Sequence, residues 1–249
     1  MNNATYLDKL SSAIAEFSGL IERADLDAAV PTCPDWDTAA LVDHVVVVHS
    51  WVRQILEHGR DGARFDDSDL QRPVRDPAAY ASWYSGAAAA MHAELSALDP
   101  AEPCWNFSGV NQTFGFWPRR QMNEVYVHAV DAALAAGTDF AIEPVVAADG
   151  IDELLVVFGP RMAMRGITPT LTAPITIAPS DVDASWTLLP PGERGVAEIA
   201  DDNSGAVARL TGTASDIYLA LWNRVPADRI SISGDAAVAA AYLRSRRAP

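Results

Sequence analysis

Two segments of the chain, Leu41-Val-Asp-His44-Val-Val-Val-Val-His49 and Asn123-Glu124-Val-Tyr-Val-His128, carry side chains able to hold one divalent metal. Glu124 and His128 are four residues apart, so on a helix they lie about 40° apart on one face and can grip a single ion. A third ligand must come from elsewhere in the chain. His44 is the best candidate, because it sits in a strongly apolar helical segment where an unpaired imidazole is costly. Three protein ligands leave coordination positions open, the arrangement of a catalytic rather than a structural site.

Each residue also has a plainer reading. An isolated histidine in a helix is more often packed or at the surface than a ligand, and an i,i+4 Glu–His pair is commonly a solvated helix pair. Met122, Val125 and Tyr126 around that pair point instead to a partly buried face. His49 rivals His44, but five residues further along a helix it points about 140° away, so the two cannot easily share one ion. His49 is therefore assigned to packing or a pocket wall, and His58 and His92 to the surface or helix ends.

These residues need helices to position them. Leu7, Leu10, Ile14, Phe17 and Ile21 recur at spacings of three and four and mark an amphipathic first helix. Beyond the Pro31-Thr-Cys-Pro34 break, Asp37 or Thr38 can cap a second helix from about Ala39 to His58, closed by Gly59, whose valine run predicts a central place in a bundle. A third runs from Pro77 or Ala78 through an alanine-rich stretch to Leu98; a fourth has Pro118 in its first turn, carries Glu124 and His128, and ends at Gly137. Four such helices predict a bundle, a scaffold that builds metal sites from inward-facing side chains.

A further apolar helix is expected over about Ala147 to Phe158. From Thr168 the texture changes to short strand-like runs, Thr170 to Ile177, Ser185 to Leu189, Ala206 to Leu210 and Ile230 to Ser233. Ser215 or Asp216 can cap a helix through Trp222, and Asp235 a last one over Ala236 to about Arg244. The expected architecture is α+β in two domains: a four-helix bundle over 1–160 and a small α+β domain over 161–249.

A formal net charge of -15 argues against nucleic acid and anionic membrane surfaces as partners, and only the terminal Arg244-Ser-Arg246-Arg247 clusters basic residues. That cluster suits a helix C-terminus. No segment reaches membrane-spanning length without charge, and the first residues lack a basic region followed by an apolar run, so a cytoplasmic location is expected. Cys33 and Cys104 have no metal-binding spacing and are read as reduced packing or loop residues.

At Cys33-Pro-Asp-Trp36, Leu41-Val-Asp-His44, Arg120-Gln-Met-Asn-Glu124-Val-Tyr-Val-His128-Ala-Val-Asp131, Gly212-Thr-Ala-Ser-Asp-Ile-Tyr-Leu-Ala-Leu-Trp-Asn-Arg224 and Gly234-Asp235, the chain resembles the mycothiol-dependent maleylpyruvate isomerase family. The resemblance covers nearly the whole chain. It implies a DinB-like metal-binding N-terminal bundle and a C-terminal domain resembling sterol-carrier folds. It matches His44, Glu124 and His128 to the family's metal ligands, with zinc or a similar divalent ion expected, and Arg224 to its C-terminal-domain arginine facing the active site. The small residue usual before the motif's Trp is Asp35 here.

The implied chemistry is activation of a low-molecular-weight thiol, mycothiol, by an open metal that lowers its pKa. In an isomerase the thiolate adds to a conjugated cis double bond, as in maleylpyruvate, rotation follows, and elimination gives the trans product and the free thiol. In an S-transferase the thiol stays attached to its electrophile. Both need a cation for the substrate's carboxylates, and Arg224 is the candidate catalytic and cofactor-binding residue for this across a domain cleft. Trp36 is a second cofactor-binding candidate or a helix anchor, and Asp131 a candidate partner for the His128 ring. Trp105, Phe107, Phe114, Phe116 and Trp117 are read as a pocket wall in preference to a lid on the core.

Two other readings keep the metal: a small-molecule binding or sensing protein, and a hydrolase whose open position holds water. The hydrolase lacks an HExxH base, and the chain has no P-loop, GxGxxG or GxSxG motif.

Overall fold

The computed structural model describes residues 1–65, 67–68, 70–200 and 205–245. The chain forms two compact units, Met1–Phe140 and Ala141–Pro249. The division falls at Phe140 rather than at the expected 160, because the helix after it belongs to the second unit.

The first unit is a four-helix bundle of α1 (Asn3–Ile21), α2 (Thr38–His58), α3 (Pro77–Ala97) and α4 (Phe116–Ala135). Polar caps start three of them: Asn2, Asp37 and Asp76 accept from the backbone N–H of Thr5, Ala40 and Ala79, which would otherwise lack partners. Gly59 closes α2 with φ 58°, in the left-handed region that glycine enters without steric cost. α1 packs on α3 and α4, and α2 on the same two helices, so each helix has two neighbours. Leu10, Ala13, Phe17 and Ile21 supply the buried stripe of α1.

The valine-rich α2 does not take the central place expected of it. Only nine of its 21 residues are buried, against sixteen of 20 in α4. The difference arises because α4 buries Arg120, Gln121, Asn123, His128 and Asp131 together with its apolar residues. Such groups are tolerated inside a protein only when they are paired. The loop into α4 is itself ordered by Asn106, 2% exposed, whose carbonyl accepts from Ser108 and whose amide donates to Val110 and Asn111.

The second unit begins with α5 (Pro144–Glu153), a π-helical turn over Leu154–Phe158, and α6 (Gly159–Met164). Gly150 of α5 lies so close to the Tyr218 ring that any Cβ would collide with it. Trp186 Nε1 also donates to Asp152 Oδ1 at 3.1 Å and Ile142 N–H to Ser215 Oγ at 3.0 Å, which ties α5 to the elements that follow.

Those elements are β1 (Ile175–Ile177), β2 (Trp186–Leu189), β3 (Glu198–Ala200), β4 (Ala208–Thr211), α7 (Ala214–Leu221), β5 (Ser231–Gly234) and α8 (Ala236–Arg244). The five strands form one sheet in the order β3-β2-β1-β4-β5, with β1 and β4 parallel and the remaining pairs antiparallel. β3, not foreseen in the sequence, has no alternating apolar pattern and an exposed-exposed-intermediate burial. Thr213, not Ser215 or Asp216, caps α7, since its hydroxyl accepts from Asp216 N–H. Asp235 caps α8 as expected, while Arg246 and Arg247 of the basic cluster lie outside the described residues.

Candidate metal centre

α2 and α4 bring His44, Glu124 and His128 to one point. One ligand atom from each lies within 4.8 Å of the others. Glu124 Oε1 stands 3.3 Å from His44 Nε2 and 3.4 Å from His128 Nε2. Both separations exceed the ~2.7–2.9 Å usual between an ionised nitrogen donor and a carboxylate. They match instead the roughly 3.3–3.4 Å edge of a tetrahedron with metal–ligand bonds of about 2.0–2.1 Å. The donor set and its spacing therefore fit a divalent ion.

Polar neighbours hold this arrangement. Asp131, 0% exposed, has Oδ2 2.9 Å from His128 Nδ1, so the ring can donate there and turn Nε2 toward Glu124. Thr32 Oγ1 donates to Asp131 Oδ1 at 2.5 Å. Arg120, 3% exposed, donates from Nη2 to Glu124 Oε2 at 2.8 Å. Burial disfavours the ionised forms of both Glu124 and His128, yet the charges around them win. Glu124 is held well below the usual carboxylate range by His128, His44 and Arg120, and His128 is lifted to about 9 by Asp131 and Glu124.

Trp36 lies beside the cluster, its ring centre 4.8 Å from that of His44 and 6.3 Å from that of His128. His49 is away from the donors in function: fully buried, with Nδ1 2.9 Å from Gln121 Oε1, it is a core residue. His58 is exposed at the end of α2, and His92 Nε2 donates to the Leu7 carbonyl at 3.0 Å. Neither Cys33 nor Cys104 is in a disulfide.

The aromatic run before α4 does not wall this site. Phe107, Phe116 and Trp117 pack on one another, and Phe107 and Trp117 also on Trp51. Trp105 and Phe114 line a separate cavity of about 430 Å³ near Gly59, at the far end of α2 from His44. Trp105 and Phe114 thus wall a pocket as expected, but not this one: Phe116 and Trp117 sit in the first turn of α4, the other three aromatics in the loop before it, and Glu124 lies two turns further on.

Arg224 belongs to the second unit. It follows α7, where Nη1 donates to the Trp222 carbonyl at 3.0 Å and the guanidinium stands 5.8 Å from the centre of the Trp222 ring. Sequence reasoning missed Thr32 and the pairing of Arg120. The i,i+4 spacing of Arg120 and Glu124 was available as a signal; no local pattern announces Thr32.

The fold and donor set define a class: a helical bundle with a His-Glu-His cluster, followed in sequence by a small α+β unit. The Mycothiol maleylpyruvate isomerase N-terminal domain matches residues 7–133, and the MDMPI C-terminal domain matches 145–241. The chain belongs to the mycothiol maleylpyruvate isomerase family. Two solved structures of mycothiol-dependent maleylpyruvate isomerase, one a histidine-to-alanine mutant, resemble it with TM-scores of 0.64 and 0.65 at 12% identity, covering 94% of this chain and 93% of each of theirs. No curated protein matches the sequence. No helix among the described residues is long and apolar enough to cross a membrane.

Proposed function

We propose that this protein is a divalent-metal-dependent isomerase that uses mycothiol on a small, carboxylate-bearing cis-unsaturated substrate of the maleylpyruvate kind, in the cytoplasm. The observation that carries the reading is the convergence of His44, Glu124 and His128 at metal-ligand spacing in a chain of this family. Zinc suits two imidazoles and one carboxylate. A bound metal of this kind lowers the pKa of a coordinated thiol, and a thiolate adds reversibly to a conjugated cis double bond, so that rotation and loss of the thiol give the trans product.

The chain's own residues supply the rest. Asp131 holds the His128 proton at Nδ1 and keeps Nε2 available as a donor. Trp36 beside His44 offers an apolar wall that excludes water from a bound thiol. Arg224 is proposed to pair with substrate carboxylate, a role that suits a planar guanidinium.

The test is elemental analysis of the purified protein, followed by mycothiol titration of the metal-loaded and chelator-stripped forms and a maleylpyruvate isomerisation assay. Stoichiometric metal, metal-dependent thiol binding and turnover are expected. Thiol consumption into a stable adduct points to S-transfer; metal without thiol binding points to a sensor or hydrolase. Arg224→Ala is expected to retain metal and thiol binding while raising KM, and unchanged kinetics would remove Arg224 from the site.

A further inference from the structure

Arg120 precedes Glu124 by one turn on α4, and the two form an ion pair at 2.8 Å with side-chain exposures of 3% and 16%. A generic helix pair does not account for it. The cation-before-anion order is the less favourable one on a helix. Burying a guanidinium is costly unless it is held by good hydrogen bonds.

What the pair does is divide the carboxylate. Oε2 faces Arg120, whereas Oε1 faces both imidazole nitrogens at 3.3 and 3.4 Å. A carboxylate can bind a metal through one oxygen or both. Turning Oε2 to the metal would stretch its 2.8 Å hydrogen bond from Arg120 or make that one oxygen serve both the guanidinium and the metal.

We infer that Arg120 is a positioning residue that confines Glu124 to a single coordinating oxygen, Oε1, and thereby keeps a coordination position open for the thiol. This rests on the metal reading proposed above. Without Arg120, Glu124 closes onto the metal with both oxygens, and the incoming thiol meets a fuller coordination sphere. The role is distinct from ligation: Arg120 sets how many positions the protein itself fills.

Cobalt(II) titrated into the metal-stripped full chain tests this, because its visible absorption weakens as coordination number rises. Arg120→Met and Arg120→Leu are expected to bind cobalt stoichiometrically, absorb more weakly than wild type, and bind mycothiol about tenfold less tightly. Arg120→Lys keeps a donor for Oε2 and is expected to retain the wild-type spectrum. Thermal melts identify which variants are folded, and either neutral variant suffices. A folded neutral variant with the wild-type spectrum overturns the inference, as does one that holds no cobalt, since Arg120 would then build the site rather than confine a ligand. Wild-type protein that takes up no cobalt overturns the metal reading itself.

Discussion

Two buried histidines on facing helices of the bundle have opposite fates. His128 on α4 has Asp131 at one ring nitrogen and Glu124 at the other, and its pKa rises to about 9. His49 on α2 touches the Gln121 amide and the Tyr84 ring, 5.7 Å away between centres; among the described residues Nε2 has no hydrogen-bond partner, and burial outweighs the longer-range pull of Glu124 and pushes its pKa down to about 4. Desolvation acts on both imidazoles in the same direction. Direct contact with carboxylates, which His128 has and His49 lacks, decides the outcome, and it marks one region as a place for cations and the other as core.

The largest effects should separate these two regions directly. His44→Ala, Glu124→Ala and His128→Ala are each expected to lose stoichiometric metal, a fall in affinity beyond the roughly 10–100-fold cost of losing an outer-shell partner. His49→Leu should keep it. Elemental analysis after dialysis reads both, and a His49 variant that lost its metal would break the division.

The pH dependence of stability in the metal-stripped protein sharpens the comparison. The folded-state pKa of His49 is depressed to about 4, so its contribution is complete above the ordinary value of 6.5 and is lost as pH falls toward 4. His128, raised to about 9, contributes fully below 6.5 and loses that contribution as pH rises through 9. Each shift corresponds to roughly 3 kcal/mol. Glu124, held far below the usual range, adds a further loss at pH values under its ordinary 4.5. Urea melts across this range should therefore give greatest stability near pH 6.5. His49→Leu is expected to flatten the slope between pH 4 and 6.5 while sparing the alkaline side.

Much of this was open to sequence reasoning, for reasons that differ by region. The helical period and the caps Asp37 and Asp235 are local signals, and the structure follows them. Glu124 and His128 share a helix face by spacing alone, and the pairing of His128 with Asp131 one turn on follows the same rule. What could not be read locally is which helix is central: the valines of α2 suggested it, but the paired polar residues of α4 decide it. The place of α5 was obscured too, because its attachment to α7 depends on the absence of a side chain at Gly150.

The finest test concerns the hydrogen bonds behind His128. Asp131→Asn keeps an oxygen that can accept from Nδ1 and removes the charge, so metal affinity should fall by about 10–100-fold, as read by chelator competition. Thr32→Val removes the hydroxyl that donates to the other Asp131 oxygen, and nothing of comparable size. Losing one hydrogen bond to a buried charged group should cost about 1.5–3 kcal/mol of stability. Its effect on metal affinity should be smaller than that of Asp131→Asn, because the His128–Asp131 contact survives. Thr32 stands 99 residues from Asp131 in the chain, on the loop that also carries Trp36. If Thr32→Val instead weakened metal binding as much as Asp131→Asn, that loop would be an integral part of the centre. The boundary between the two histidine environments would then be drawn by the segment before α2 as well as by α4 itself.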